Sequence, residues 1–275
     1  IIDKVELPII RVQHHFAHMA AVIAEQHLSG DCLGLILDGY GYGLDSKAWG
    51  GELIRYQGSL QEFTSIGQLQ AITLPGGDVA VKEPWRIALG LCHQLQLLPP
   101  QHLLRMPQAA ELYALLHTIQ APTTSSCGRL FDGISALANI CLIATYEAEA
   151  ALRLEGLIKM PQVHYDSWYI TPENKLDLSE LIRYLAKLTN PQLIAELFVG
   201  TLAKALSEWV WLASKNLAIE QVILSGGCFQ NSELLLRVHH YLCQYKLKVY
   251  VPQQLPFNDN SISLGQAFIA NLHLD

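Results

Sequence analysis

Apolar residues fall at spacings of three and four along residues 14–25, which predicts an amphipathic helix with one face toward a core. An apolar run at residues 33–37 follows. Its β character and its ending in Asp38-Gly39-Tyr40-Gly41-Tyr42-Gly43 predict a buried strand leading into a glycine-rich loop. A strand pair is expected near residues 49–56 and 65–69. The middle of the chain reads as helical, with helical spacing over residues 103–119, 130–144, 147–158 and 193–216. Between these, residues 161–178 are aromatic and turn-rich and read as a hairpin or an ordered loop. The last sixty or so residues alternate: strand 221–224, helix 232–244, strand 246–251, helix 262–272. Strands alternating with helices imply an α/β fold whose sheet is covered on both faces. In such sheets ligands sit beyond the C-terminal strand ends, which directs attention to the loops after Leu37, Leu224 and Val251.

Composition narrows the class. With 275 residues, 51% hydrophobic and 16% charged, the chain can bury a large core as one bilobed domain or two small ones. No apolar run is long enough to span a membrane, and residues 1–11 lack the regions of a signal peptide. The 6 Cys (32, 92, 127, 141, 228 and 243) form no CxxC pair. That pattern suits reduced thiols in the cytoplasm rather than a disulfide frame or a zinc knuckle. A net charge of −7 without any Lys/Arg run argues against nucleic acid as a partner. A small phosphate ligand stays open, because it needs only backbone amides and a cation or two.

The residues with chemistry cluster at the expected loops. On a helix, His14 and His18 stand one turn apart on one face, a spacing that lets both imidazoles reach one metal ion; His15 points elsewhere, as a supporting or packing residue. Asp38 ends an apolar strand, and Asp259 lies in Phe257-Asn258-Asp259-Asn260-Ser261. Simpler readings stand beside these: HxxxH as a surface or core pattern, Asp38 as a turn opener, Asp259 as the N-cap of the helix near Ile262. Two imidazoles and two carboxylates suit Fe(II), Zn(II) or Mn(II). Gly39, Gly41 and Gly43 follow one strand and Gly226-Gly227 another, where backbone amides can approach a phosphate. Neither segment fits a P-loop or a GxGxxG dinucleotide turn. Asp132 and Glu147 could hold ribose hydroxyls or be solvated acids near helix starts. Lys82 and Arg86, after Pro75-Gly76-Gly77-Asp78, could neutralise a phosphate or carbamate, or line a surface helix.

The segments QHHFAHMAA, LDGYGYGLDSKAWGGE, LPGGDVAVKEPWR, SSCGRLFDG, YEAEAALRLE, LSGGCFQN and NDNSISLGQA occur in this order between about residues 14 and 270. In order and nearly in wording they resemble the C-terminal part of the HypF family of hydrogenase maturation carbamoyltransferases. The resemblance implies an α/β, bilobed actin/Hsp70-like (ribonuclease H-like) fold. It places His14, His18, Asp38 and Asp259 on one divalent metal ion, iron or zinc. It places Gly226, Gly227 and Asn231 on a nucleotide loop, and Gly128, Asp132 and Glu147 on an adenosine and ribose pocket. It implies ATP and carbamoyl adenylate, made from carbamoyl phosphate, as donor chemistry, and the C-terminal Cys thiol of a HypE-type protein as acceptor. The related alternatives are a tRNA threonylcarbamoyl transferase, a small-molecule O-carbamoyl transferase, or a non-catalytic nucleotide-binding module that docks HypE.

The family's upstream acylphosphatase domain, zinc motifs and YrdC-like domain have no counterpart in this sequence. The resemblance further implies that the first strands of the transfer domain precede residue 1. The expected layout puts the remainder of a first lobe and the metal-site segment at about residues 1–90. A helical insert and the second lobe then occupy about residues 91–275. Asn260-Ser261 stand where the family has Gly-Gly.

Overall fold

A computed structural model describes residues 9–273, so most of the stretch read for a signal peptide lies outside the described residues. The chain runs α1 (His14–Glu25), β1 (Cys32–Tyr42), β2 (Ala48–Gln57), β3 (Glu62–Leu69) and β4 (Ile72–Thr73). A helical stretch follows: α2 (Asp78–Lys82), α3 (Pro84–Gln94), α4 (Gln101–Leu104) and α5 (Ala109–Leu116). Next come β5 (Thr123–Thr124), α6 (Cys127–Leu137), α7 (Glu149–Glu155), the hairpin β6 (Tyr169–Ile170) and β7 (Lys175–Asp177), and α8 (Ser179–Leu185). The long α9 (Pro191–Leu217), β8 (Gln221–Ser225), α10 (Ser232–Gln244), β9 (Lys248–Tyr250) and α11 (Ile262–Leu272) complete it.

All strands join one mixed sheet with the order β6-β7-β3-β2-β1-β8-β9, while β4 and β5 pair beside β2. β1, β2 and β3 form an antiparallel meander, and β8 and β9 add parallel to β1. A three-strand meander extended by parallel strands is the ribonuclease H-like arrangement that the resemblance implied. Residues on either side of position 90 meet in this sheet, since Leu33–Ile36 pair with Val222–Ser225. Position 90 itself lies in α3.

Period-two alternation in β1 sorts its side chains onto two faces. Leu33, Leu35 and Leu37 enter the larger core, with residues of α3, α6, α8, α9 and α10. Cys32 and Ile36 enter a smaller core with Met19, Val22 and Ile23 of α1. Gly34 lies on that second face, where a Cβ would sit 2.6 Å from Met19 Sδ. The absent side chain lets α1 lie directly on the strand. α11 packs on α1 just as closely, because a Cβ on Gly265 would run into the Ala17 carbonyl. Asp38, in phase with Cys32 and Ile36, is thereby delivered to the α1 face.

Several elements differ from the pattern reading, each for a local reason. The segment after Leu37 continues as strand to Tyr42 instead of forming a loop. Residues 103–119 split into α4 and α5, since Pro107 lacks an N–H and Gln108 turns left-handed (φ 60°). α6 stops at Leu137, where Asn139 is left-handed (φ 57°) and Ile140 N–H bonds back to Ser135 O (2.9 Å). α7 starts only at Glu149, after left-handed Ala148 (φ 59°), so Glu147 belongs to a turn. α8 has no counterpart in the pattern reading, and α3 has one only in the surface-helix alternative for Lys82 and Arg86. Among the described residues no helix is long and apolar enough to cross a membrane.

Gly265→Ala should cost about 1–3 kcal/mol, because the added methyl forces α1 and α11 apart. Urea denaturation of the two proteins measures it; an unchanged midpoint would show that the helices part freely.

Candidate functional site

The site begins at the first turn of α1. Gln13 caps the helix, its side-chain oxygen accepting from Phe16 N–H at 2.9 Å. The cap fixes His14 as the first helical residue and sets His18 directly above it, the ring centroids 4.8 Å apart. His15 is buried on another face of α1, its Nδ1 3.1 Å from the Gln13 amide. Burial, reinforced by neighbouring His14, pushes the His15 pKa down to about 3, so the ring is neutral. Gly41 gives this ring its room: a Cβ there would strike His15 and stand 2.7 Å from His14 Cδ2.

β1 supplies the carboxylate through a bulge. Leu37 pairs with Gly51 and Gly41 with Trp49, so residues 38–40 face Gly50 alone. The Ser126 hydroxyl fills the gap, lying 2.9 Å from Asp38 O and 2.7 Å from Gly39 O. The same oxygen accepts from Arg129 N–H (3.1 Å) and so caps α6. Gly128 lets the start of α6 reach β1, since a Cβ would lie 2.7 Å from Gly39 Cα.

Asp38 divides its two oxygens. Oδ1 accepts from the N–H groups of Gly39 (2.8 Å) and Gly227 (3.2 Å). Oδ2 lies 3.0 Å from His14 Nε2 and 3.4 Å from His18 Nε2. Burial alone would raise the Asp38 pKa, but the His14 hydrogen bond and the adjacent His18 ring, with the Gly39 amide, hold it well below the ordinary carboxylate range. His14 shows the counterpart: burial lowers it, yet Asp38 and Asp259 outweigh burial and leave it raised.

Asp259 closes the group from the surface, its Oδ1 3.5 Å from His14 Nε2 and 3.3 Å from His18 Nε2. The short 3-10 turn Asp259–Ser261 is capped by Asn258, whose side chain accepts from Asn260 N–H, so the Asp259 carboxylate is not spent on capping. One ligand atom from each of His14, His18, Asp38 and Asp259 lies within 4.8 Å of all the others. His18 is fully buried, yet neither ring nitrogen has a hydrogen-bond partner among the described residues. An imidazole without partners is costly to bury, and an ion at the shared centre would use its Nε2. Nitrogen and oxygen donors of this kind could hold zinc or iron.

The remaining sequence candidates surround this group or stand apart. Gly226 (φ +100°) turns the chain after β8 where a Cβ would meet the Leu37 carbonyl. Asn231 caps α10, accepting from Leu234 N–H at 2.9 Å, and its Nδ2 has no partner among the described residues. Asp132 is buried against Arg129, with Oδ2 to Nη1 2.9 Å; burial pushes its pKa up to about 6 against the pull of Arg129. Glu147 is exposed, and the buried acid nearby is Glu149, paired with Arg153 and capped by Thr145. Lys82 is exposed at the end of α2, while Arg86 is held by Glu83 and lies 4.7 Å over the Trp85 ring. Among the described residues neither bonds to the four-donor group.

Ser126, Arg129 and Glu52 were not singled out from the sequence. Glu52 is fully buried on β2, accepting from Ser125 Oγ at 2.5 Å. The signal was a charged residue inside an apolar strand or helix, in WGGE and SSCGRLFDG.

The chain matches the family described as "Carbamoyltransferase, Kae1-like Domain, second subdomain" over residues 34–266. It is 37% identical over 273 residues to the carbamoyltransferase HypF of Rhizobium leguminosarum bv. viciae, covering 96% of this chain and 35% of that protein. It is 34% identical over 282 residues to a carbamoyltransferase HypF homolog of Cupriavidus necator, covering 96% of this chain and 71% of that protein. Full-length HypF in its phosphate- and nucleotide-bound form superposes with a TM-score of 0.87 at 32% identity, over 99% of this chain and 44% of that one. HypF of T. kodakarensis gives 0.84 at 26%, over 99% of this chain and 38% of that one. The chain spans about a third of the length of the first curated relatives it matches, 35% and 36%.

Glu52 yields a test of the site's scaffold. Burial pushes its pKa from 4.5 up to about 7, against the Ser125 hydrogen bond. The folded chain keeps this proton at pH values where the unfolded chain has lost it. Stability from Glu52 is therefore full below about pH 4.5 and is lost as pH rises toward 7, by on the order of 3 kcal/mol. Glu52→Gln should flatten that part of the profile. Urea midpoints at pH 5 and pH 8 decide it, and equal losses in both proteins would exclude Glu52 as the cause.

Proposed function

The chain belongs to the HypF carbamoyltransferase family, and from this premise we propose that it carries out carbamoyl transfer in hydrogenase maturation. The donor in this reading is carbamoyl adenylate, derived from carbamoyl phosphate and ATP. The acceptor is the C-terminal Cys thiol of a HypE-type protein, on the route to the cyanide ligands of [NiFe]-hydrogenase. The setting is the cytoplasm, consistent with 6 free cysteines. The observation that carries the proposal is the four-donor group of His14, His18, Asp38 and Asp259 at the bulged end of β1, beside the Gly226-Gly227 turn.

Those four residues would hold one divalent ion, iron or zinc. When bound, such an ion supplies Lewis acidity toward the carbamoyl oxygen. The chain's own residues do the rest. Asp38 is fixed by two backbone amides and stays anionic, so the donor set needs little rearrangement. His15, neutral and packed under Gly41, keeps α1 in register with β1. The adenylate is assigned to the cleft lined by Gly39 and Gly227, whose walls Gly41, Gly128 and Gly226 bring together, with Asp132 and Glu147 toward the ribose and Asn231 toward the base. In the reaction, the acceptor thiol gives up its proton to solvent and its sulfur forms a bond to the carbamoyl carbon. The bond from that carbon to the phosphate oxygen breaks, and AMP leaves with the electron pair. The product is a thiocarbamate.

Titration with Zn(II) followed by calorimetry should give one ion per chain. Asp38→Asn and His18→Ala should each weaken it by at least roughly 100-fold, since supporting partners of metal ligands alone carry 10- to 100-fold. The same variants should lose thiocarbamate formation from supplied carbamoyl adenylate and acceptor. Metal affinity untouched by both substitutions would refute the assignment.

A further inference from the structure

One buried cation next to Asp38 takes no part in holding the four-donor group. Arg129 lies in the first turn of α6 and is 8% exposed. Its Nη1 stands 2.9 Å from Asp132 Oδ2, but the pair is poorly aligned, and Nε and Nη1 have no hydrogen-bond partner among the described residues. Its Nη2 reaches the other way, 3.4 Å from where a Cβ on Gly39 would sit. The bare backbone of Gly39 therefore stands directly beside the guanidinium. The turn Gly227–Gln230, which follows the second glycine segment, packs against the same helix. The first turn of this 11-residue helix, brought onto β1 by Gly128, thus sets the guanidinium beside Gly39, while the helix itself packs on the turn after Gly226.

A helix N-terminus favours negative charge. A guanidinium offers a planar fork matched to two oxygens of a phosphate or carboxylate. A purely structural Arg129–Asp132 pair would be expected to align its hydrogen bonds and spend its donors on the protein. Here the donors are left over and lie against the bare backbone of Gly39.

We infer that Arg129 recognises the phosphate oxyanion of a nucleotidyl ligand held between Gly39 and the Gly227-Cys228 turn. This rests on the nucleotide reading given above and names the residue that reads the phosphate. The role is one of charge recognition, since the bond that breaks in transfer leaves its electron pair on a phosphate oxygen. A cation already in place stabilises that added charge without rearrangement.

The test compares AMP with adenosine, which differ only in the phosphate. Calorimetry on the chain, Arg129→Gln and Arg129→Lys should show AMP weakened roughly 10- to 100-fold in the Gln variant. Adenosine affinity should change by less than about twofold, and Lys should recover part of the AMP affinity, since it keeps the charge without the fork. A Gln variant that binds AMP like the parent overturns the inference. So does equal loss of AMP and adenosine with an unchanged thermal transition. If the Gln variant does not fold, the Lys variant decides: its AMP-specific weakening supports the role, and identical AMP binding refutes it. A parent chain that binds adenosine and AMP equally also refutes it. Should the parent bind neither, the nucleotide reading itself falls and takes this inference with it.

Discussion

The site depends on how the Asp38 carboxylate is shared. One oxygen is held by two backbone amides, from Gly39 in its own strand and from Gly227 beyond the neighbouring strand. That leaves the other oxygen aimed at His14 and His18. A buried carboxylate with only one of these partner sets would face a large desolvation cost and take up a proton. With both sets it stays ionised. Because the amides come from β1 and the turn after β8, and the imidazoles from α1, this one group ties together three segments far apart in sequence.

The backbone around Asp38 is shaped to make that sharing possible. In a regular ladder Asp38 would pair across to β2; the bulge between Leu37 and Gly41 frees it, and Ser126 takes up the carbonyls so exposed. Ser126 is in turn placed by the chain around it. Ser125 is bonded to buried Glu52 on β2, and Thr124 pairs with Ala48. The second face of the site is set by α1, pinned between Gly34 below and Gly265 above. The donors are therefore unequal: Asp38 and His18 are built into the core, with side chains 10% and 0% exposed, whereas Asp259 reaches in from a surface turn at 63%.

Much of this was legible in the sequence because local periodicity encodes it. The 14–25 helix, the apolar part of the strand that carries Asp38 and the alternating last quarter follow from spacing alone, and so does the one-turn separation of His14 and His18. What spacing does not encode is partnership between distant residues. Nothing near Glu52 announces Ser125, 73 positions away, and nothing near Gly39 announces Ser126, 87 positions away. Helix ends were misplaced where single left-handed residues such as Gln108, Asn139 and Ala148 stop or delay a helix without interrupting its apolar period. Pro107 is the local signal that breaks the apolar period of residues 103–119, since proline rarely sits inside a helix.

The glycines show why a motif is an incomplete guide to a ligand. Read as sequence, Gly39, Gly41, Gly43, Gly226 and Gly227 all invite an approaching phosphate. In the fold, most make room for the protein itself: Gly226 for the Leu37 carbonyl, Gly128 for Gly39, Gly41 for the histidine rings, Gly265 for α1. These cannot also be points where a ligand touches the same face of the backbone. Gly39 and Gly227 are different. A Cβ on Gly227 would first meet Asp38 Oδ1 at 3.0 Å, and one on Gly39 would meet Arg129 Nη2 at 3.4 Å, so both border side chains with chemistry rather than packed backbone. The glycines that bring elements together and the glycines that line the cleft are thus separable by what stands opposite their missing side chains, a distinction the motif itself does not contain.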